Sequence, residues 1–221
     1  MELITYLEKA FFRANNPSNA TQMSAYMRNK FPFLGIKKPD RAALQKEIFS
    51  RYVVNSEGEL IALLCSLWDK SEREYQMAAC DLAYRYRKLW TPKFLETIDQ
   101  LIRTKSWWDS VDTLSSKILG ALIKQFPELQ VHMDIWIQDQ NMWIRRAALI
   151  HQLSFKKETD DQRLFSYCSA TLHEKEFFIR KAIGWALRQH SRTDPQAVRN
   201  YLIINEKSLS PLSYKEASKY C

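Results

Sequence analysis

The sequence predicts an all-α protein, a curved α-solenoid of about six HEAT-like helical hairpins. Glycine and proline are scarce, 4 and 7 among 221 residues, too few for the many turns of a β-rich fold. No segment alternates convincingly with period two, and no Asn-Gly or Asp-Gly hairpin turn occurs. The third observation is self-similarity: Met77, Val111, Ile144 and Ile179 follow one another at intervals of 34, 33 and 35 residues.

Almost the whole chain reads as helices of roughly 10–18 residues with short breaks. The first three are Glu2–Ala14, Ser18–Lys30 and Pro39–Val54, the last with Pro39 in a first-turn position where a missing N–H costs nothing. Glu57–Lys70, Glu72–Leu89 and Pro92–Thr104 follow. Trp107–Phe126 starts with Asp109 in its first turn, where the helix dipole favours an acid. Glu128–Gln138, Asn141–Phe155, Asp160–His173, Glu176–His190 and Pro195–Ile204 lead into a last short helix from Leu212.

The repeat appears when Gln76-Met77-Ala78-Ala79, Ser110-Val111-Asp112-Thr113, Trp143-Ile144-Arg145-Arg146 and Phe178-Ile179-Arg180-Lys181 are aligned. Each copy is a helix preceded by another helix, so the unit is a helical hairpin. An amphipathic hairpin cannot bury its apolar face alone and does so by stacking on its neighbours. With 46% hydrophobic and 26% charged residues, one folded domain spanning residues 1–221 is expected.

A curved stack has a concave wall. The equivalent helices from Trp107, Asn141 and Glu176 would line it, bringing together Trp108, Asp112, Arg145 or Arg146, Lys181, Trp185 and Arg188. Lys181, Trp185 and Arg188 share one helix face by their i, i+4, i+7 spacing. Aromatic plates interleaved with basic groups can neutralise phosphates and pack on sugars or bases.

The segment Lys105-Ser-Trp-Trp-Asp-Ser-Val-Asp112 is the most pointed in the chain. Trp108 and Asp112 lie one helical turn apart, about 6 Å between Cβ atoms, so an indole and a carboxylate share a face. Tryptophans on helices commonly belong to the core. Successive residues point about 100° apart, so both indoles cannot face one way, and Trp107 is the packing residue of the two. An acid on the face of Trp108 argues that this face is not dry core, because an unpaired buried carboxylate is costly. Arg145-Arg146 is either a solvated edge, a rung tying repeat to repeat, or a DNA contact.

Charge suggests the partner. Thirty-three basic against 25 acidic residues leave a net +8, which suits a polyanion without setting a fold. The stretch Tyr26–Arg51 holds a local excess of five positive charges. Its centre, Phe31-Pro-Phe-Leu-Gly-Ile-Lys-Lys-Pro39, is an irregular turn feeding a helix; exposed backbone N–H groups with Lys37 and Lys38 there suit an anionic backbone, or the stretch is ordinary basic surface.

Other chemistries fare poorly. Cys65, Cys80, Cys168 and Cys221 form no CxxC pair, and His132, His151, His173 and His190 lack metal-ligand spacing. No metal or cofactor is expected; the thiols read as buried and reduced, and the histidines as surface or satisfied core. Nucleophile-elbow, Walker and dinucleotide-binding motifs are absent. With no basic-then-apolar leader and no apolar run near 18 residues, a cytoplasmic protein without membrane attachment is expected.

Four stretches together resemble a known family. Tyr26-Met-Arg-Asn-Lys-Phe-Pro-Phe-Leu-Gly-Ile36, Lys105–Asp112, Asn141-Met-Trp-Ile-Arg-Arg-Ala-Ala148 and Glu176-Phe-Phe-Ile-Arg-Lys-Ala-Ile-Gly-Trp-Ala-Leu-Arg188 occur in the order found in the bacterial HEAT-like-repeat alkylpurine DNA glycosylases of the AlkD type. The resemblance implies a monofunctional glycosylase; a monomer is expected. Its substrate would be duplex DNA carrying cationic N3- or N7-alkylated purines, cleaved without flipping the base into a pocket. It implies that Trp108 and Trp185 pack on deoxyribose and backbone, and that Asp112 stabilises the oxocarbenium-like sugar and orients water. It further implies that Arg146 holds a phosphate, with Arg188 and Tyr26 on the same strand. Two residues depart from the pattern: Lys37 stands where a glutamine is usual, and Ser154 where a lysine is frequent. Both bear on DNA contacts outside the Trp108–Asp112 centre. The residues alone also admit a non-catalytic protein that binds distorted DNA, with Asp112 a structural acid, or a protein–protein scaffold; an acid beside Trp108 and clustered cations argue against the scaffold, which needs neither.

Overall fold

The computed structural model describes residues 2–221, and these are all-α, with no strand among the described residues. Two compact units divide the chain, residues 1–91 and 92–221. The first comprises α1 (Glu2–Arg13), α2 (Pro17–Tyr26), α3 (Lys38–Arg51), α4 (Glu57–Asp69) and α5 (Arg73–Arg85). The second comprises α6 (Phe94–Arg103), α7 (Trp108–Thr113), α8 (Gly120–Gln125), α9 (Gln130–Trp136), α10 (Met142–Ile150), α11 (Asp161–Ala170), α12 (Phe177–Ser191), α13 (Pro195–Ile204) and α14 (Pro211–Ala217).

Local chemistry sets many of these boundaries. Asn16, Asp194 and Ser210 each precede a proline, and each side chain accepts from a backbone N–H three residues on, at 3.0, 2.9 and 3.0 Å. The side-chain oxygen satisfies an orphan donor of the first turn, and the proline takes a position where no N–H is required. Helix α2 ends earlier than the sequence predicts, because Arg28 and Asn29 adopt left-handed φ values of 56° and 54°. The predicted helix Trp107–Phe126 is α7 and α8 joined by a π-helical stretch, Leu114–Leu119. The predicted Asn141–Phe155 tightens into a 3₁₀ turn at His151–Ser154.

The repeat interval is physically present in the bonds that join one hairpin to the next. Tyr86 Oη donates to the Tyr52 carbonyl at 2.8 Å, Arg103 to Asp139 at 2.6 Å, and Ser213 Oγ to the Arg180 carbonyl at 2.9 Å; their partners lie 34, 36 and 33 residues away. Three of the four aligned apolar positions, Val111, Ile144 and Ile179, are fully buried. Met77 is only half-buried, although its neighbours Gln76, Ala78 and Ala79 in α5 are buried.

Candidate active site

In the second unit, α7 begins after an extended Trp107, which caps it by its carbonyl: Val111 N–H donates to Trp107 O at 3.0 Å. The Trp107 indole is buried against Trp143 and Phe178, with ring centroids 5.7 and 5.1 Å away. The next indole, Trp108, is half-buried, as is Asp112 one turn on. The pair of tryptophans is therefore split as their angular spacing demands, one in the core and one at its margin.

Asp112 receives a fork from Arg146 of α10. Arg146 Nε donates to Asp112 Oδ1 at 2.7 Å and Nη2 to Oδ2 at 2.9 Å, the bidentate geometry that a planar guanidinium favours. Arg146 Nη1 donates to the Phe178 carbonyl in a short contact, so the same side chain joins α7, α10 and the first turn of α12. The Arg146 side chain is 5% exposed and that of Asp112 17%. Burial pushes the Asp112 carboxyl above the ordinary aspartate value; the Arg146 pair works against that rise, and Asp109 adds to it. Asp112 also sits just before the π-helical stretch. There Ser115 and Ser116 hydroxyls donate to the Val111 and Asp112 carbonyls, each at 2.6 Å, satisfying acceptors near the altered register. The result is a carboxylate fixed at both oxygens and still partly exposed, with lone pairs remaining for a water or a cationic group.

On α12, Lys181, Trp185 and Arg188 share a face, and all three are half-buried. Sequence reasoning missed the residue that organises them. Glu216 of α14 lies 3.3 Å from Lys181 Nζ, 3.1 Å from Lys219 Nζ, and in closer contact with Arg188 Nη1. Its only sequence signal is its place 35 residues after Lys181, the repeat interval.

Arg145, one of the candidate DNA contacts, is engaged within the fold. Its guanidinium donates to both Glu174 oxygens at 2.8 and 2.6 Å, and to the carbonyls of Asp139 and Gln140 at 2.6 and 3.0 Å. It is a rung between neighbouring hairpins.

In the first unit, Tyr26 is 72% exposed at the end of α2, and Lys37 and Lys38 are exposed at the start of α3. The turn before them differs from the expectation of free amides. The N–H groups of Leu34, Gly35 and Ile36 all donate to the buried Glu74 carboxylate, at 3.0, 2.9 and 3.1 Å. These amides are taken by an internal acid, leaving the lysines as the cationic element there. Gly35 has φ 81°, and a Cβ at this position would lie 2.1 Å from the Asn16 carbonyl oxygen, so the turn is seated tightly on α2. Arg41 is buried 3.6 Å from Asp81, which lowers the surface excess of charge in this stretch.

Ser154 is exposed and 3.5 Å from the Ser116 carbonyl. His151 and His190 are buried, His132 and His173 exposed; Cys80 and Cys168 are buried and Cys65 and Cys221 half-buried, all four as free thiols. Among the described residues no three His, Cys, Asp or Glu gather as a metal site, and no helix is long and apolar enough to cross a membrane.

No curated protein matches the sequence. Among solved structures, a predicted DNA alkylation repair enzyme from Enterococcus faecalis is 36% identical, with a TM-score of 0.86 over 93% of this chain and 96% of its own. A second, smu.31 from Streptococcus mutans UA159, is 18% identical with a TM-score of 0.61 over 81% and 96% of the two chains, and shares the fold. A family model described as DNA alkylation repair enzyme matches residues 7–221, and with this extent of agreement the chain belongs to the DNA alkylation repair enzyme family.

Proposed function

We propose that the protein is a monofunctional DNA glycosylase hydrolysing the N-glycosidic bond of cationic N3- and N7-alkylated purines in duplex DNA, without base flipping. The observation that carries this reading is the Asp112–Arg146 fork beside Trp108. The alkylated base already bears a positive charge. As the C1′–N9 bond breaks, its electron pair passes to the base, which leaves neutral, and the sugar becomes cationic. A fixed carboxylate stabilises that developing charge. Water adds to C1′, gives its proton to Asp112 or to solvent, and leaves an abasic site.

In this reading Asp112 is the catalytic acid anion, and Trp108 and Trp185 position the sugar and backbone by many weak contacts. Arg146 holds Asp112 in orientation through its fork, and as a cation behind that carboxylate it would also draw a phosphate of the same strand. Arg188, Lys181, Tyr26, Lys37 and Lys38 supply backbone contacts. Arg145 acts through the fold that presents Arg146. The protein would act as a cytoplasmic monomer on nucleoid DNA.

A buried ion pair can also be purely structural, and this favours one second reading: a non-catalytic protein that binds distorted DNA. Base release from methylated duplex DNA separates the two. The wild type releases methylated purines, and Asp112→Asn loses about 10²-fold or more in rate if electrostatic stabilisation dominates. Thermal unfolding accompanies the assay, because this variant leaves the Arg146 charge buried without its partner. Unchanged release by a folded Asp112→Asn protein removes the catalytic role. Salt-sensitive DNA binding without any release establishes the second reading.

A further inference from the structure

Glu216 is 10% exposed in its side chain, yet three cations converge on it: Lys181, Arg188 and Lys219. One cation suffices to balance a buried carboxylate. Three leave two positive charges in surplus at one point of the surface. Those cations remain open to solvent, with side-chain exposures of 41%, 26% and 46%. The acid is beneath and the cations are outward, because Gly184 lets α14 approach α12: a Cβ at 184 would stand 2.6 Å from the Glu216 Cβ.

We propose that Lys181, Arg188 and Lys219 form a preassembled subsite for one phosphodiester of DNA, and that Glu216 is the positioning residue that assembles it. Long cationic side chains lose rotamer freedom when they grip a phosphate. Glu216 orders them in the free protein, so that loss no longer falls on binding. A phosphodiester carries one negative charge and offsets half of the surplus. Trp185 lies between Lys181 and Arg188 on the same helix face, so a phosphate held here brings an adjoining sugar to the indole. The proposal rests on the reading of the chain as a DNA-acting protein, but it does not depend on the bond-breaking step.

The test measures binding of undamaged duplex DNA across a salt series, for the wild type, Lys219→Gln, Lys219→Arg and Glu216→Gln, with far-UV circular dichroism and melting as controls. Lys219→Gln is expected to bind about 3- to 10-fold more weakly, with a salt slope smaller by about one, and Lys219→Arg to restore both. Glu216→Gln raises the net charge by one, so simple Coulomb attraction predicts tighter binding. Preassembly predicts the opposite sign, binding weaker by about 3- to 10-fold. Tighter or unchanged binding by folded Glu216→Gln overturns the proposal, as does an unchanged slope in Lys219→Gln. If Glu216→Gln does not fold, the two Lys219 variants decide. A wild type that binds duplex DNA normally while Lys219→Gln matches it loses the subsite alone; a wild type with no salt-dependent DNA binding loses the DNA reading as well.

Discussion

Arg146 grips both oxygens of Asp112, at 2.7 and 2.9 Å, across 34 residues of sequence. The fork does something a single charge cannot: it fixes the plane of the carboxylate as well as its ionisation. Arg146→Lys keeps the charge and discards the fork, since an ammonium offers point donors without planar geometry. We expect this variant to fold and to release methylated purines about 10²-fold more slowly, the scale of a misplacement near 1 Å. Single-turnover base release by wild type and variant reads the effect directly. Equal rates would mean that charge alone suffices and that the orientation of Asp112 is immaterial.

Burial holds the Asp112 carboxyl above the ordinary aspartate value, with the Arg146 pair opposing the rise. The active form is the ionised one. Base release, corrected for spontaneous loss, should therefore fall on the acid side at a pH above that at which a free aspartate protonates. The sign for stability is the reverse. A raised native value means that this group adds stability below its unfolded value and loses it as pH rises through its folded one. Activity and stability should therefore move in opposite directions across the Asp112 titration. In Asp112→Asn the acid limb of the activity profile should vanish with the rate; its persistence would assign the limb to another group.

The adjacent indoles separate cleanly by experiment. Trp107 is buried among Trp143 and Phe178, and Trp107→Ala should cost about 3–5 kcal/mol of stability. Trp108 is half-buried, and Trp108→Ala should cost about 1–2 kcal/mol while slowing base release and weakening DNA binding. Urea unfolding alongside base release reads both. A Trp108→Ala protein as destabilised as Trp107→Ala, with unaltered chemistry, would make both tryptophans core.

The sequence made legible whatever depended on local periodicity. Helical spacing sufficed to set Trp108 and Asp112 on one face and to divide the tryptophans, and the interval near 34 residues anticipated the bonds between hairpins. Partner choice was not legible, because it depends on how helices meet. Nothing in the Arg145-Arg146 dipeptide says that the first would brace Glu174 and the second Asp112. Glu74 and Glu216 belong to no motif of their own, and their roles appear only when the Leu34–Ile36 amides and the α12 cations are in place around them. The π-helical stretch after Asp112 has no local signature either, since Leu114–Leu119 carries ordinary helix-compatible residues.

Gly184 offers a test in which two effects have opposite signs. In an exposed helix, glycine to alanine gains about 0.5–1 kcal/mol by reducing backbone freedom in the unfolded chain. At position 184 the new methyl would meet Glu216 Cβ at 2.6 Å and the Ser213 carbonyl oxygen at 3.0 Å. One obstacle is backbone and the other the stem of a side chain, so neither yields by a rotamer change, and α14 must move off α12. Overpacking of this kind costs about 1–3 kcal/mol, which exceeds the gain. Gly184→Ala should therefore be destabilised, with faster amide hydrogen exchange concentrated in Pro211–Ala217 and weaker DNA binding as Glu216 withdraws from Lys181 and Arg188. A more stable Gly184→Ala protein would mean that α14 does not sit this close to α12 in solution.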